Sequence, residues 1–138
     1  MDAVWEVLRA FGDVSAWAPG IAGSQCLDGR TGGLGVRRRL RHVWGFEFDE
    51  VVTAWDEGRG YSFIVLGAPF PLNVVVETWK VVPGPGHAVV ETVVTYDTRG
   101  GAVGRLIDGV LLWYLIRREM RRGLAGLRSR LAGAPQER

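Results

Sequence analysis

At 138 residues, 47% of them hydrophobic and 23% charged, the chain has the length of one domain and enough apolar content to build a core. Seventeen basic residues against 15 acidic ones leave a net charge of only +2, which excludes the strong field of a dedicated nucleic-acid binder. A lone cysteine, Cys26, excludes an intrachain disulfide, and no run approaches the ~18 apolar residues of a spanning helix.

Met1 to Glu6 lacks the basic start and apolar stretch of a signal peptide, so one cytoplasmic domain over residues 1–138 is expected. Val4, Val7, Leu8 and Phe11 recur at the spacing of an amphipathic helix, with Asp2 placed to cap it and Gly12-Asp13 to end it. A second short helix or turn carries Val14, Trp17 and Pro19. After Gly20 the period changes to two, and turn signals at hairpin distances predict six strands, at about 21–28, 35–43, 46–55, 60–67, 72–82 and 87–98. Gly100-Gly101 closes the sheet region. Val103 to Leu131 then reads as one long helix with Leu106, Val110, Met120, Leu124, Leu127 and Leu131 near one stripe, and Ala132 to Arg138 as a frayed tail. The order predicts an α+β fold: short N-terminal helices, a curved antiparallel sheet, and a long last helix in its grip.

Alternation assigns faces to side chains. Phe46, Phe48, Val52 and Ala54 share the more apolar face of the third strand with Glu50, and Arg38, Leu40 and His42 share a face of the second. A buried carboxylate or guanidinium needs a partner, so Glu50 and Arg38 form a pair if both point inward; the alternative is that both sit in water at the sheet rim. Tyr61, Phe63 and Val65 share a face, as do Val90, Thr92, Val94 and Tyr96, and each phenol ends either inside an apolar space or with its hydroxyl at the surface.

Several runs resemble the START-like, Bet v 1-like (SRPBCC) superfamily, in particular its polyketide cyclase/dehydrase branch. They are Val4-Trp5-Glu6-Val7-Leu8 leading to Trp17-Ala18-Pro19-Gly20, then Gly35-Val36-Arg37-Arg38, then Glu50 to Asp56 followed by Tyr61-Ser62-Phe63, then Pro69-Phe70-Pro71 before a strand, and the long last helix. The resemblance implies a helix-grip fold whose sheet and helix enclose an apolar cavity for a lipid, polyketide or similar hydrophobic molecule, with no cofactor. It implies that Arg38 and Leu40, Phe48, Glu50 and Val52, Tyr61, Phe63 and Val65, Thr92, Val94 and Tyr96, and Val110 and Tyr114 of the helix face the ligand. Members of this superfamily usually begin with a strand, whereas here Met1 lies almost at the first helix, so either the start is truncated or this member lacks the strand. A sheet lacking that strand leaves two edges unpaired, and the chain is then a monomer or a homodimer joined through them.

Other motifs reduce to structure. Gly29 to Gly35 is followed by a strand instead of the helix a phosphate loop needs, so it reads as a hairpin turn. The arginines between Arg37 and Arg41 split between faces and read mainly as a solvated surface. Val110 to Ile116 is apolar all round and flanked by Arg117, Arg118, Arg121 and Arg122; burial under sheet and loops is the favoured reading, contact with a membrane the other. Gly123 and Gly126 weaken the later turns and are placed to let the helix bend. His42 and His87, with one Cys, make no metal-binding set, and no G-x-S-x-G nucleophile run exists. Cys26, Trp5, Trp17, Trp55 and Trp79 read as core or rim. Three functions remain: a binding module for a hydrophobic molecule, an enzyme in which Arg38 or Tyr61 stabilises an enolate while Glu50 acts as base, or a membrane-contacting lipid carrier.

Overall fold

The computed structural model describes residues 2–133. Helix α1 (Asp2–Arg9) leads through a 3-10 turn (Phe11–Ala16) into six strands: β1 (Ile21–Cys26), β2 (Arg37–His42), β3 (Glu47–Asp56), β4 (Gly60–Leu66), β5 (Leu72–Gly84) and β6 (His87–Thr98). Helix α2 (Gly101–Ile107), a π-helical turn (Asp108–Leu112) and α3 (Trp113–Ala132) follow as one continuous rod. All strand pairings are antiparallel and the order is β1-β2-β3-β4-β5-β6, so β1 and β6 are the sheet's edges. This is the helix-grip arrangement of the α+β class. Asp2 lies inside the first turn of α1, and Gly12-Asp13 falls within the 3-10 turn. The tail expected to fray lies, beyond residue 133, outside the described residues.

One end of the grip is solid. The α1 face carrying Trp5 and Leu8 packs with Phe11, Val36, Val52 and Phe63, and Leu8, Phe11, Val36 and Val52 are almost wholly buried. Aromatic rings fill this end edge to face: Trp5 on Trp55 at 5.3 Å, Phe11 on Tyr61 at 5.4 Å and on Phe63 at 5.8 Å. Helix α3 closes over it with Leu127. Gly126 and Gly123 serve close approach. A Cβ at Gly126 would overlap the Trp17 carbonyl oxygen, and one at Gly123 would touch the Trp79 ring at 3.6 Å.

Strict alternation fails at two places, each for a geometric reason. The register of β3 on β4 shifts between Val52 and Ala54, so past this bulge Trp55 packs beside Tyr61 and Ala54 turns outward, contrary to the face expected for it. In the last helix the π-turn spends an extra residue on one revolution. An unbroken α-helix phased on Met120 would turn Leu106 inward; instead Gly104, Ile107 and Leu112 face the sheet side while Leu106 and Val110 are 67% and 76% exposed. The segment Val110–Ile116 is likewise not covered on both sides: Leu112 is buried, but Leu111, Trp113 and Tyr114 are about half exposed, because no loop of the described residues reaches over them.

Candidate functional site

Toward the other end of the grip, sheet and helix stand apart and enclose a space of about 490 Å³. Its sheet wall is built from alternating inward side chains: Arg38, Leu40 and His42 of β2, Phe48 and Glu50 of β3, Tyr61, Phe63 and Val65 of β4, Val75, Glu77 and Trp79 of β5, and Val94 of β6. The helix contributes Ile107, Leu111, Leu112, Leu115, Ile116, Glu119, Met120 and Gly123, and the segment Ala68–Leu72 forms one side of the mouth. Most of this wall is apolar.

Of the residues expected to face a ligand, Arg38, Leu40, Phe48, Glu50, Tyr61, Phe63, Val65 and Val94 stand together on this wall. Val52 lies in the solid core next to it, and Thr92 and Tyr96 are half-buried off it. Val110 and Tyr114 point to solvent: Val110 lies in the π-turn that shifts the phase, and Tyr114 stands about 120° around α3 from the inward Met120. Tyr96 has a different partner: its hydroxyl donates to Asp108 Oδ1 at 2.6 Å and ties β6 to the π-turn. Burial and that bond push the phenol up to about 12.

The polar groups of the wall converge. The register sets Arg38 directly opposite Glu50, and both are under 5% exposed. Arg38 Nε donates to Glu50 Oε2 at 2.5 Å, Nη2 also pairs with that oxygen, and Nη1 donates to the Phe11 carbonyl at 2.5 Å. The guanidinium plane lies 3.6 Å from the centre of the Phe11 ring. Burial pushes the Glu50 carboxyl up, and the charge and hydrogen bonds of Arg38 work against it. Tyr61 is pushed well above its ordinary value by burial, so its hydroxyl stays protonated as a hydrogen-bond donor.

Glu77 completes the cluster and escaped the sequence reading. Its Oε1 accepts the Trp79 indole N–H at 3.0 Å. Burial, then the negative charge of Glu50, push its carboxyl up to about 7, against the smaller pull of the indole bond and Arg38. The signal was present: Val75, Glu77, Trp79 and Val81 alternate on one face of β5, the pattern that singled out Glu50 on β3. At the rim, His42 stacks on Phe46 at 4.6 Å, accepts the Trp44 N–H at Nδ1, and brings Nε2 to 3.7 Å from Glu119 of α3. Trp17 also lines the space, with its buried indole N–H unpartnered among the described residues.

A sequence model of the family described as "Polyketide cyclase / dehydrase and lipid transport" matches residues 1–132. No curated protein matches the sequence. Among solved structures, an uncharacterised protein from Bacillus thuringiensis superposes with a TM-score of 0.75 at 22% identity, over 95% of this chain and 90% of that one. The protein XoxI from Bacillus cereus gives 0.73 at 22% identity, over 94% and 86%. Ara h 8.0201 gives 0.73 at 17% identity, over 96% and 89%. At these identities the likeness is one of fold.

Proposed function

Given that the chain belongs to the polyketide cyclase/dehydrase and lipid transport family, we propose that it binds a hydrophobic small molecule in the space between its sheet and last helix. The observation that carries this reading is the space itself: about 490 Å³, mostly apolar, with a few polar groups converging on one wall. Small-molecule sites have this size and make-up. A solid core would be the cheaper way to use these side chains, since unfilled volume forfeits packing.

The enzyme reading asks for a free base. Arg38, Glu50 and Tyr61 do stand together and burial raises the Glu50 carboxyl, but its Oε2 is committed to Arg38 at Nε and Nη2, and no feature of the wall fixes where a reacting carbon would sit. Binding is therefore the function the geometry supports best. The direct test is native mass spectrometry of the protein purified from its own host, together with titration of the neutral dye Nile red. A co-purified apolar molecule, or saturable dye binding displaced by it, is the expected result; a protein that emerges empty and never saturates with dye overturns the reading.

A second reading, a carrier that meets membranes to exchange its ligand, is favoured by the mouth. Trp44, Phe70 and Leu111 border the space and are 61%, 56% and 49% exposed. Val110, Trp113 and Tyr114 extend this apolar rim, and Arg117 lies 5.1 Å over the Trp113 ring. Such a basic-edged apolar rim suits an anionic bilayer surface. Flotation with phosphatidylserine vesicles should carry the protein upward, and less so after Trp113→Ser; no flotation at low salt removes this reading.

A further inference from the structure

The charge count of the cavity wall bears on what kind of molecule would fit, an argument that rests on the cavity being a ligand site. Three carboxylates face it, Glu50, Glu77 and Glu119, against Arg38 and His42. The charge of Arg38 already has a partner: Nε and Nη2 go to Glu50, and Nη1 donates to the Phe11 carbonyl. Glu119 at the rim has Arg122 at 3.5 Å and His42 at 3.7 Å. Glu77 has only the neutral indole N–H of Trp79. It is a carboxylate in an apolar wall without a cation of its own, and such a group is costly unless one is supplied.

We propose that the cavity selects hydrophobic ligands bearing a protonated amine, which pairs with the Glu77 carboxylate, over hydrophobic ligands that end in a carboxylate. An ammonium supplies the missing cation, and the nearby Glu50 reinforces the attraction. Among the described residues a carboxylate finds there only Arg38, whose charge is already paired with Glu50, and it is repelled by both glutamates. The step is ionic and balances simply: where Glu77 is protonated, arrival of the ammonium releases that proton to solvent, and no covalent bond changes. The groups facing Glu77 are Arg38 from β2, Glu50 from β3 and Tyr61 from β4, with Glu119 and His42 nearer the mouth. Amine affinity should therefore rise with pH through about 7, where Glu77 loses its proton.

Three probes of one chain length, dodecylamine, dodecanol and dodecanoate, can be compared by displacement of Nile red below their aggregation concentrations. At pH 8 dodecylamine is expected to bind at least about tenfold tighter than dodecanoate, with dodecanol between them. Glu77→Gln should bring dodecylamine down to about the level of dodecanol. Dodecanoate binding as tightly as the amine, or an amine affinity indifferent to Glu77→Gln, overturns the proposal. If Glu77→Gln does not fold, the unmodified chain decides: amine affinity flat between pH 6 and 8 overturns it, and a rise absent for dodecanol supports it. If the dye and all three probes fail to saturate, the ligand-site reading itself falls; if dye and alcohol bind without preference for the amine, only this inference does.

Discussion

Arg37, Arg38 and Arg39 are consecutive on β2, and Asp49 and Glu50 are consecutive on β3, yet the two faces of this strand pair use the same chemistry to opposite ends. Outside, two arginines share one carboxylate: Arg37 Nε and Arg39 Nε reach Asp49 at 2.8 and 2.9 Å, with the arginine side chains about half in water. Inside, one arginine serves the two carboxylates of the sheet wall, Glu50 and Glu77, and water is displaced by Phe11 and Phe63. The acids respond in opposite directions. Asp49 is held below its ordinary value by hydrogen bonds from Arg39 and Arg37, outweighing its burial, whereas burial and Glu50 push Glu77 up to about 7. Surplus cation in water makes a surface clasp; surplus carboxylate in an apolar wall leaves a group that still lacks a counter-charge.

Removing the inner cation should have the largest effect. Arg38→Met leaves Glu50 buried without its partner and is expected to cost about 3–5 kcal/mol of folding free energy in urea denaturation. The double variant Arg38→Met/Glu50→Leu removes both charges and should recover most of that loss, because an apolar pair of similar volume escapes the desolvation cost. Equal destabilisation in both variants would mean that the arginine matters by packing on Phe11, not by pairing with Glu50.

The next effect is one of pH. Glu77 is raised in the folded chain, so between its ordinary value near 4.5 and about 7 the folded state binds more protons than the unfolded one. Stability from this group is thus full below that window and declines as pH rises through it, by at most about 3 kcal/mol at 1.36 kcal/mol per unit. Glu77→Gln should flatten the profile between those limits and leave a chain more stable than the parent at pH 8. A parent profile already flat over this range would show that Glu77 is better hydrated, or better partnered, than its wall suggests.

How much of this was legible in the sequence follows from what alternation can and cannot see. The six strands, the inward turn of Arg38, His42 and Glu50, and the pairing of Arg38 with Glu50 came from a period of two and the cost of burying charge, both local in sequence. Glu77 was legible by the same rule, since it alternates with Val75, Trp79 and Val81 on one face of β5. Ala54 and Val110 were not legible, for a different reason. A bulge at Val52/Ala54 and a π-turn at Asp108–Leu112 each insert one residue into a regular repeat, and a fixed period then assigns the residues around the insertion to the wrong face. The position of the space followed from none of these patterns, since it depends on where the helix stands off the sheet.

The smallest effect expected is on the outer face, and it sharpens the comparison by its sign. Asp49→Asn keeps the shape of the acceptor and removes the charge between Arg37 and Arg39, so the loss should be about 1 kcal/mol or less at neutral pH. Because Asp49 is depressed in the folded chain, its contribution is present above its ordinary value near 3.8 and disappears as pH falls through its lower folded value. The parent should therefore lose part of its stability in that acid range while Asp49→Asn does not, the reverse of what Glu77→Gln does between 4.5 and 7. Salt separates the two faces further: about 0.5 M sodium chloride, with a Debye length near 4 Å, should erase most of the difference between parent and Asp49→Asn and leave that between parent and Arg38→Met nearly intact. Equal salt sensitivity of both differences would mean that solvent reaches Arg38 and Glu50 as readily as it reaches Arg37 and Arg39, and the contrast between the two faces would collapse.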